Sequence, residues 1–565
     1  MLKPLMISGG VLAGLYGWMF YISDRFAYGT SGESRPTWLF FTIAIVAFLV
    51  SLLAVRQAIR CTDNRSLLWC SLGVSVLFRL ILLPSEPIQE IDIYRYLWDG
   101  RVVCAGVNPY RHSPRNVLDS INRTSRSPQL GKLTKIAEDS QTWHEVLKRV
   151  HFKELTTVYP PVSQAVFAVA AFISQDGDID RLLLILKTLI VGFDVATCCL
   201  MFLLLRAIGM HGGWMIAYAW NPLVLKEFAN SGHLDAIAIA MTMAAVLMLT
   251  PTRAVASPAS KSIQQVILAA VFLAFGVGAK LYPLVLMPII VVNLKRRSGM
   301  KEAVRFSVCF AVVACLVLMP WWMAQPADEV PTVYDLEGNV FDSATIESTD
   351  PKAGIARFMT HWKMNDFIFL IIGENLEPNA AAIPIEAWFV VVPDTWRWNL
   401  TNAIHKATGI EFSLVPFLLA RLITALMFLA IAIWIARKKT GRDHREFAEG
   451  LFLTLAWFWL TLPTQNPWYW LWALPLLPMA RSRVWWAMSG LVLAYYLRFW
   501  FKTTWPNETV LATPYSGATF FDYVVTWIEY APWFVALAVS FWRPERADSA
   551  NLTTDQGPQE RLPQV

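Results

Sequence analysis

Residues 90–110 read EIDIYRYLWDGRVVCAGVNPY and follow an apolar run over 66–84. Glu90 and Asp92 therefore stand just beyond the mouth of a membrane-length segment. Carboxylates are costly near hydrocarbon, so an ionisable cluster at that depth is a functional-site hypothesis by default. One chemistry open to Glu90, Asp92 and the following Asp99 is to hold a divalent cation through oxygen ligands. The stretch also has helical spacing: Ile91, Tyr94, Trp98 and Val102 share one face, and Asp92, Arg95 and Asp99 another. That pattern predicts a helix lying against the membrane. The bland alternative is an interfacial helix with an Asp92–Arg95 ion pair and no chemistry.

Four further stretches put polar groups where lipid-facing helices should have none. TVYPPVSQ at 157–164 adds Tyr159 and Gln164 at the start of an apolar run, where proline is tolerated; its bland reading is a rigid helix start. WNPLVLKEFANSGHLDAIAI at 220–239 interrupts apolar sequence with Lys226, Glu227, Asn230, His233 and Asp235. Here loop charges and a helix-start histidine are the alternative. Lys280 stands alone in GAKLYP and must snorkel or find an anion; a phosphate would satisfy it. TQNPWYW at 464–470, with Asn466, joins RFMTHWKMND at 357–366 and Arg498. An interfacial aromatic belt accounts for Trp468, Tyr469 and Trp470 nearly as well as stacking on a sugar face does.

These residues need a scaffold, and the composition names its class. Of 565 residues 56% are hydrophobic and only 16% charged, with 26 Trp and 33 Phe, which excludes an ordinary soluble domain. Apolar runs recur at roughly 5–22, 37–55, 66–84, 159–174, 182–206, 213–226, 233–250, 264–293, 305–323, 414–436, 449–463, 468–480, 484–500 and 523–541. A crossing takes about 20 residues, so the shorter runs read as half-helices. Basic clusters at Arg56/Arg60/Arg65, Lys295–Arg297, Arg437–Lys439 and Arg481/Arg483 mark one side, cytoplasmic by the positive-inside rule. That places the 85–158 loop outside. The Asn221-Pro222 break and GVGAKLYP at 276–283 predict a re-entrant segment and two half-helices, both opening outward. The divisions expected are 1–84 N-terminal transmembrane helices, 85–158 an extracytoplasmic catalytic loop with a juxtamembrane helix, 159–323 a transmembrane core, 324–413 a second outer loop region, 414–542 C-terminal transmembrane helices, and 543–565 a disordered cytoplasmic tail. The net charge of +6 lies in short loops and calls for no nucleic-acid partner. Seven cysteines show no CxxC pattern or metal spacing. There is no P-loop, no GxGxxG, no HExxH and no EF-hand loop. Transferase chemistry outside the cell therefore needs a donor presented by the membrane itself.

EIDIYRYLWDGRVVCAGVNPYRHSP, TVYPPVSQ, WNPLVLKEFANSGHLDA, GAKLYP and QNPWYW follow one another in an order that resembles bacterial membrane glycosyltransferases of the GT-C fold. The likeness is to polyprenol-phosphate-mannose-dependent mannosyltransferases, the family-87 type and its relatives, over about 85–480. It implies an all-α polytopic helical bundle with a large extracytoplasmic first catalytic loop. It implies an acidic catalytic base in that loop, which Asp92 matches best; relatives often have two adjacent acids, whereas Ile91 separates Glu90 from Asp92 here. The family fold begins with one helix before that loop, and three apolar runs precede it here. The resemblance implies transfer of a sugar, mannose by default, from a polyprenyl-phosphate donor to a lipid or glycan acceptor hydroxyl, with inversion. Lys280 is the first choice for the donor phosphate, with Arg95, Arg101 and His233 behind it; Asp235, Tyr159 and Asn466 complete the expected substrate-binding set. No cofactor is implied, a divalent cation through Glu90, Asp92 and Asp99 remaining the open exception. The location implied is the bacterial inner membrane. The competing class is a transporter or flippase of a polar or lipid-linked solute, which broken helices also suit, although no internal repeat is seen.

Overall fold

The structure is a computed structural model; it describes residues 2–121, 127–174, 177–250, 262–324, 360, 362–379, 385–441 and 443–542. The tail expected from 543 and most of the 324–361 loop lie outside the described residues. Helices make up the described chain, with two isolated β-bridges. Among the described residues seven helices are long and apolar enough to cross a membrane, and a pair bent by 120°, Pro222–Asn230 with Asp235–Met248, forms an eighth candidate. Leu49, Trp69, Leu203, Leu316, Leu426 and Ile528 are exposed on these helices. An apolar exterior of this kind is what a lipid-facing surface requires.

Three helices precede the first polar loop: α1 (Leu2–Ser23), α2 (Thr37–Ala58) and α3 (Arg65–Leu82). The 85–158 region then folds as α4 (Asp92–Cys104), α5 (Pro114–Ser120), α6 (Pro128–Asp139) and α7 (Gln141–Arg149). Proline at the first turn of α5 and α6, with Ser113 and Ser127 capping, sets where each begins. α8 (Pro161–Ile173) and the long α9 (Ile179–Ala207) lead into the broken elements.

The position of α4 corrects the expectation of an interfacial helix. Both of its faces are buried in protein, from Ile93 through Gly100. It packs on α8 so closely that a Cβ on Gly100 would meet the Phe167 carbonyl oxygen at 2.2 Å. Tyr96 stacks flat on Phe167 with ring centres 4.6 Å apart. The Asp92–Arg95 pair of the bland alternative is also not the one formed. Arg95 turns along the helix to Asp99, at 3.5 Å, which leaves Asp92 to other partners.

Both predicted breaks are present. The chain turns at Asn221-Pro222, runs through a π-helical turn over Leu225–Asn230, and reverses at Gly232, whose φ of +69° suits glycine. Carbonyls freed at the break are taken up inside the bundle. Arg79 donates to Ala219 O (2.9 Å) while paired with Asp194 (2.7 Å), and Tyr16 donates to Trp220 O (3.0 Å). The second break falls at Lys280, which is extended between the helix Ile263–Ala279 and a tight turn at Tyr282–Leu286. Pro283 cannot continue the helix, because it lacks the N–H that residue 279 would accept. Three predicted basic clusters meet at one end of the bundle. Arg296 donates to Arg437 O (3.0 Å), and both Lys439 and Arg481 pair with Glu449 (2.8 and 3.2 Å).

Candidate active site

The segment before α4 is strapped to the broken helix. Lys187 of α9 donates to Ser85 O (2.6 Å). Asn230 gives hydrogen bonds to Ser85 Oγ (2.7 Å) and Glu86 O (2.6 Å) and accepts one from Ile88 N–H (2.9 Å). Gln89 then adopts a left-handed conformation, φ +53°, a strained geometry for a non-glycine residue that turns Glu90 back onto the helix start. Glu90 Oε1 accepts the N–H groups of Ile91 (2.9 Å) and Asp92 (2.8 Å), and so caps α4. Its Oε2 lies 3.3 Å from His233 Nε2, which stands 3.2 Å from Glu227. Glu227 is paired with Lys226 at 3.2 Å and accepts a hydrogen bond from Tyr496. Lys226 and Glu227, read as loop charges in the bland alternative, are a fully buried pair. His233 also stacks on Trp468, ring centres 4.4 Å apart.

These contacts give two carboxylates, two residues apart, opposite characters. Burial works against the charge on Glu90, but His233, Lys226 and the Asp92 N–H outweigh it and hold Glu90 at about 2. Asp92 has weaker support, one hydrogen bond from Tyr159 (3.2 Å). Burial, and then the neighbouring Glu90 charge, push it up to about 6. A carboxylate there is ionised at neutral pH yet basic enough to accept a proton during reaction.

Asp92 opens into a cavity of about 300 Å³, shared with Glu90, Arg95, Tyr159, Lys280 and Asn466. Six of the nine residues named from sequence therefore line one space. Two stand behind its wall: His233 behind Glu90, and Asp235, which pairs with Lys280 at 2.9 Å and accepts the Trp472 indole N–H at 2.6 Å. Arg101 is not among the lining residues; its guanidinium lies over Trp143, 5.4 Å from the ring centre. Lys280 finds its anion within the protein, and its ammonium also sits 4.4 Å from the centre of the Tyr469 ring. Arg95 keeps Nη1 buried with no hydrogen-bond partner, and Asn466 Oδ1 is likewise unpaired.

Sequence reasoning missed Arg35, Gln89, His151 and Tyr495, all on the cavity wall, and reached Trp362 only as part of the stretch 357–366. Arg35 lies in the loop between α1 and α2, and its Nε is buried without a partner. Among the described residues no carboxylate pairs with it. The one available signal was topological: an arginine in a loop that the positive-inside rule places outside. Among the described residues, no group of three or more His, Cys, Asp or Glu side chains is arranged to hold a metal ion. Glu90 is instead turned to the α4 backbone and to His233.

Residues 29–296 match the family model described as alpha-(1->6)-mannopyranosyltransferase, N-terminal domain. The matched span contains Arg35, Glu90, Asp92, Arg95, Tyr159, His233, Asp235 and Lys280, and ends before Asn466. No curated protein and no solved structure matches the chain.

Proposed function

We propose, for a membrane glycosyltransferase whose residues 29–296 match the model of the alpha-(1->6)-mannopyranosyltransferase N-terminal domain, that the donor is a polyprenyl-phosphate sugar, mannose by preference. The acceptor is a hydroxyl of a lipid or glycan, met on the extracytoplasmic side of the bacterial inner membrane. The observation that carries this reading is a carboxylate, Asp92, sharing a cavity with two arginines, Arg35 and Arg95, that have unpaired guanidinium nitrogens.

Asp92 removes the proton of the acceptor hydroxyl as its oxygen bonds to the anomeric carbon. The bond from that carbon to the phosphate oxygen breaks, and the lipid phosphate leaves with the electron pair. One displacement inverts the centre. Arg35 and Arg95 face the charge that builds on the phosphate. Lys280 contributes less than its isolation in sequence suggested, because Asp235 already neutralises it. Tyr159 orients Asp92, and Asn466 Oδ1 offers an acceptor for a sugar hydroxyl. Glu90 has another part: it stays ionised, caps α4 and keeps Asp92 basic.

The test uses purified protein in lipid nanodiscs, radiolabelled polyprenyl-phosphate-mannose and a membrane extract as the source of acceptor. Label should move to acceptor in wild type. Arg35→Gln should raise the donor KM about 10–100-fold, as expected for a lost charged hydrogen bond. Absence of transfer from any lipid-phosphate sugar, with label crossing a sealed bilayer, would overturn the reading in favour of a transporter.

A further inference from the structure

A second, smaller cavity of about 110 Å³ adjoins the first, and Met364 lines both. The segment 362–366 forms the wall between them, extended to Met364 and then bent at Asn365, whose φ is +51°. It is fastened to the stretch before Asn466 by two backbone hydrogen bonds, Met364 N–H to Pro463 O and Gln465 N–H to Met364 O, each 2.9 Å. Successive side chains of an extended segment point to opposite sides. Trp362 accordingly lines the main cavity and Lys363 the second, Met364 touches both, and the bend at Asn365 places Asn365 and Asp366 on the second.

Most charges around the second cavity are already matched. Asp522 takes two hydrogen bonds from Arg498, both 2.8 Å. Glu374 accepts from Tyr523 (2.9 Å) and lies 3.6 Å from Lys363, which reaches Glu377 at the same distance. Two oxygens are left over. Asp366 Oδ2 and Asn365 Oδ1 have no hydrogen-bond partner, on residues only 4% and 2% exposed. Leaving buried acceptors unsatisfied is unfavourable, so the vacancy is for donors. Among the described residues no three side chains are arranged to hold a metal ion here, and an anion is opposed by the three lining carboxylates, Asp366, Glu374 and Asp522. Neutral hydroxyl groups meet neither objection. Burial also pushes Asp366 up to about 7 against the pull of Lys363, so the group both accepts and donates, as a hydroxyl does.

We propose that this second cavity is a subsite for a neutral sugar residue of the acceptor, held by Asp366 and Asn365 next to the residue that reacts. The proposal rests on the glycosyltransferase reading of the main cavity. It goes beyond that reading in naming a glycan acceptor, recognised over more than one sugar.

The experiment measures binding of methyl α-mannoside and of an α-1,6-linked mannotetraose to the full chain in nanodiscs without donor, and then the acceptor KM in the transfer assay. The tetrasaccharide should bind about tenfold tighter than the monosaccharide. Asp366→Leu, which can neither accept nor donate, should cancel that advantage and raise the acceptor KM by about the same factor, leaving the donor KM unchanged. Equal binding of the two sugars by wild type overturns the proposal without recourse to any variant. So does an Asp366→Leu protein whose acceptor KM is unaltered while transfer proceeds, and in that case the transferase reading stands. Asp366-dependent binding of the tetrasaccharide by a wild type that transfers nothing would uphold the subsite and sink the transferase reading instead.

Discussion

Replacing Asp92 by Asn separates two consequences of one environment. Folding moves the Asp92 carboxyl from 3.8 to about 6, because burial and the Glu90 charge both disfavour its ionised form. At about 1.36 kcal/mol per pKa unit, this sets a ceiling of about 3 kcal/mol on the stability lost to that charge. Asp92 is only partly buried and faces the cavity, so solvent screening reduces the expected figure to roughly 1–2 kcal/mol. The sign follows from proton linkage. A folded-state pKa above the unfolded one means that stability is full below about pH 4, falls as pH rises through about 6, and stays reduced at neutral pH. Asparagine is neutral throughout. The variant should melt higher than wild type at pH 7.5 in nanodiscs at a common scan rate, and the gap should close toward pH 4. Its transfer rate should fall about 10²–10⁴-fold, the usual worth of a general base. A variant that melts lower at pH 7.5, or a gap that persists at pH 4, would refute the argument from burial. Transfer within tenfold of wild type would move the base role to Glu90 or Asp99.

Two further predictions follow from neighbouring contacts. The kcat/KM of wild type should rise with pH through about 6 as Asp92 ionises, and Glu90→Gln should shift that acidic limb to lower pH, since the Glu90 charge helps hold Asp92 up; a limb that does not move would assign it to another group. Lys280→Met leaves Asp235 charged and buried, and should destabilise the fold by about 3–5 kcal/mol. Adding Asp235→Asn should recover most of that stability, and the donor KM of the double variant should stay near wild type if Arg35 and Arg95 hold the phosphate. A large rise in donor KM in the double variant would return that role to Lys280.

Local signals in the chain were sufficient for the class of fold and for where its helices break. Apolar run length and the scarcity of charge specify a helical membrane protein, because every backbone polar group in lipid must be satisfied within its own helix. Asn221-Pro222 and Pro283 announce breaks because proline's effect on a helix needs no distant partner. The same local cost of charge singled out Glu90, Asp92, Arg95 and Lys280, and the polar stretches at 157–164 and 464–470 added Tyr159 and Asn466; the fold gathers all six around one cavity. What lay beyond the sequence was how those charges pair. Lys280 meets Asp235 from 45 residues away, Glu90 meets His233 across the broken helix, and Arg35 arrives from a loop with no motif. A sequence shows that a buried charge needs compensation but not what supplies it, because Coulomb forces and hydrogen bonds act across space rather than along the chain. The tertiary structure alone therefore decided that Glu90 meets His233 and the start of α4, that Asp92 is left facing the cavity with Tyr159, and that α4 is enclosed by protein rather than laid on the membrane.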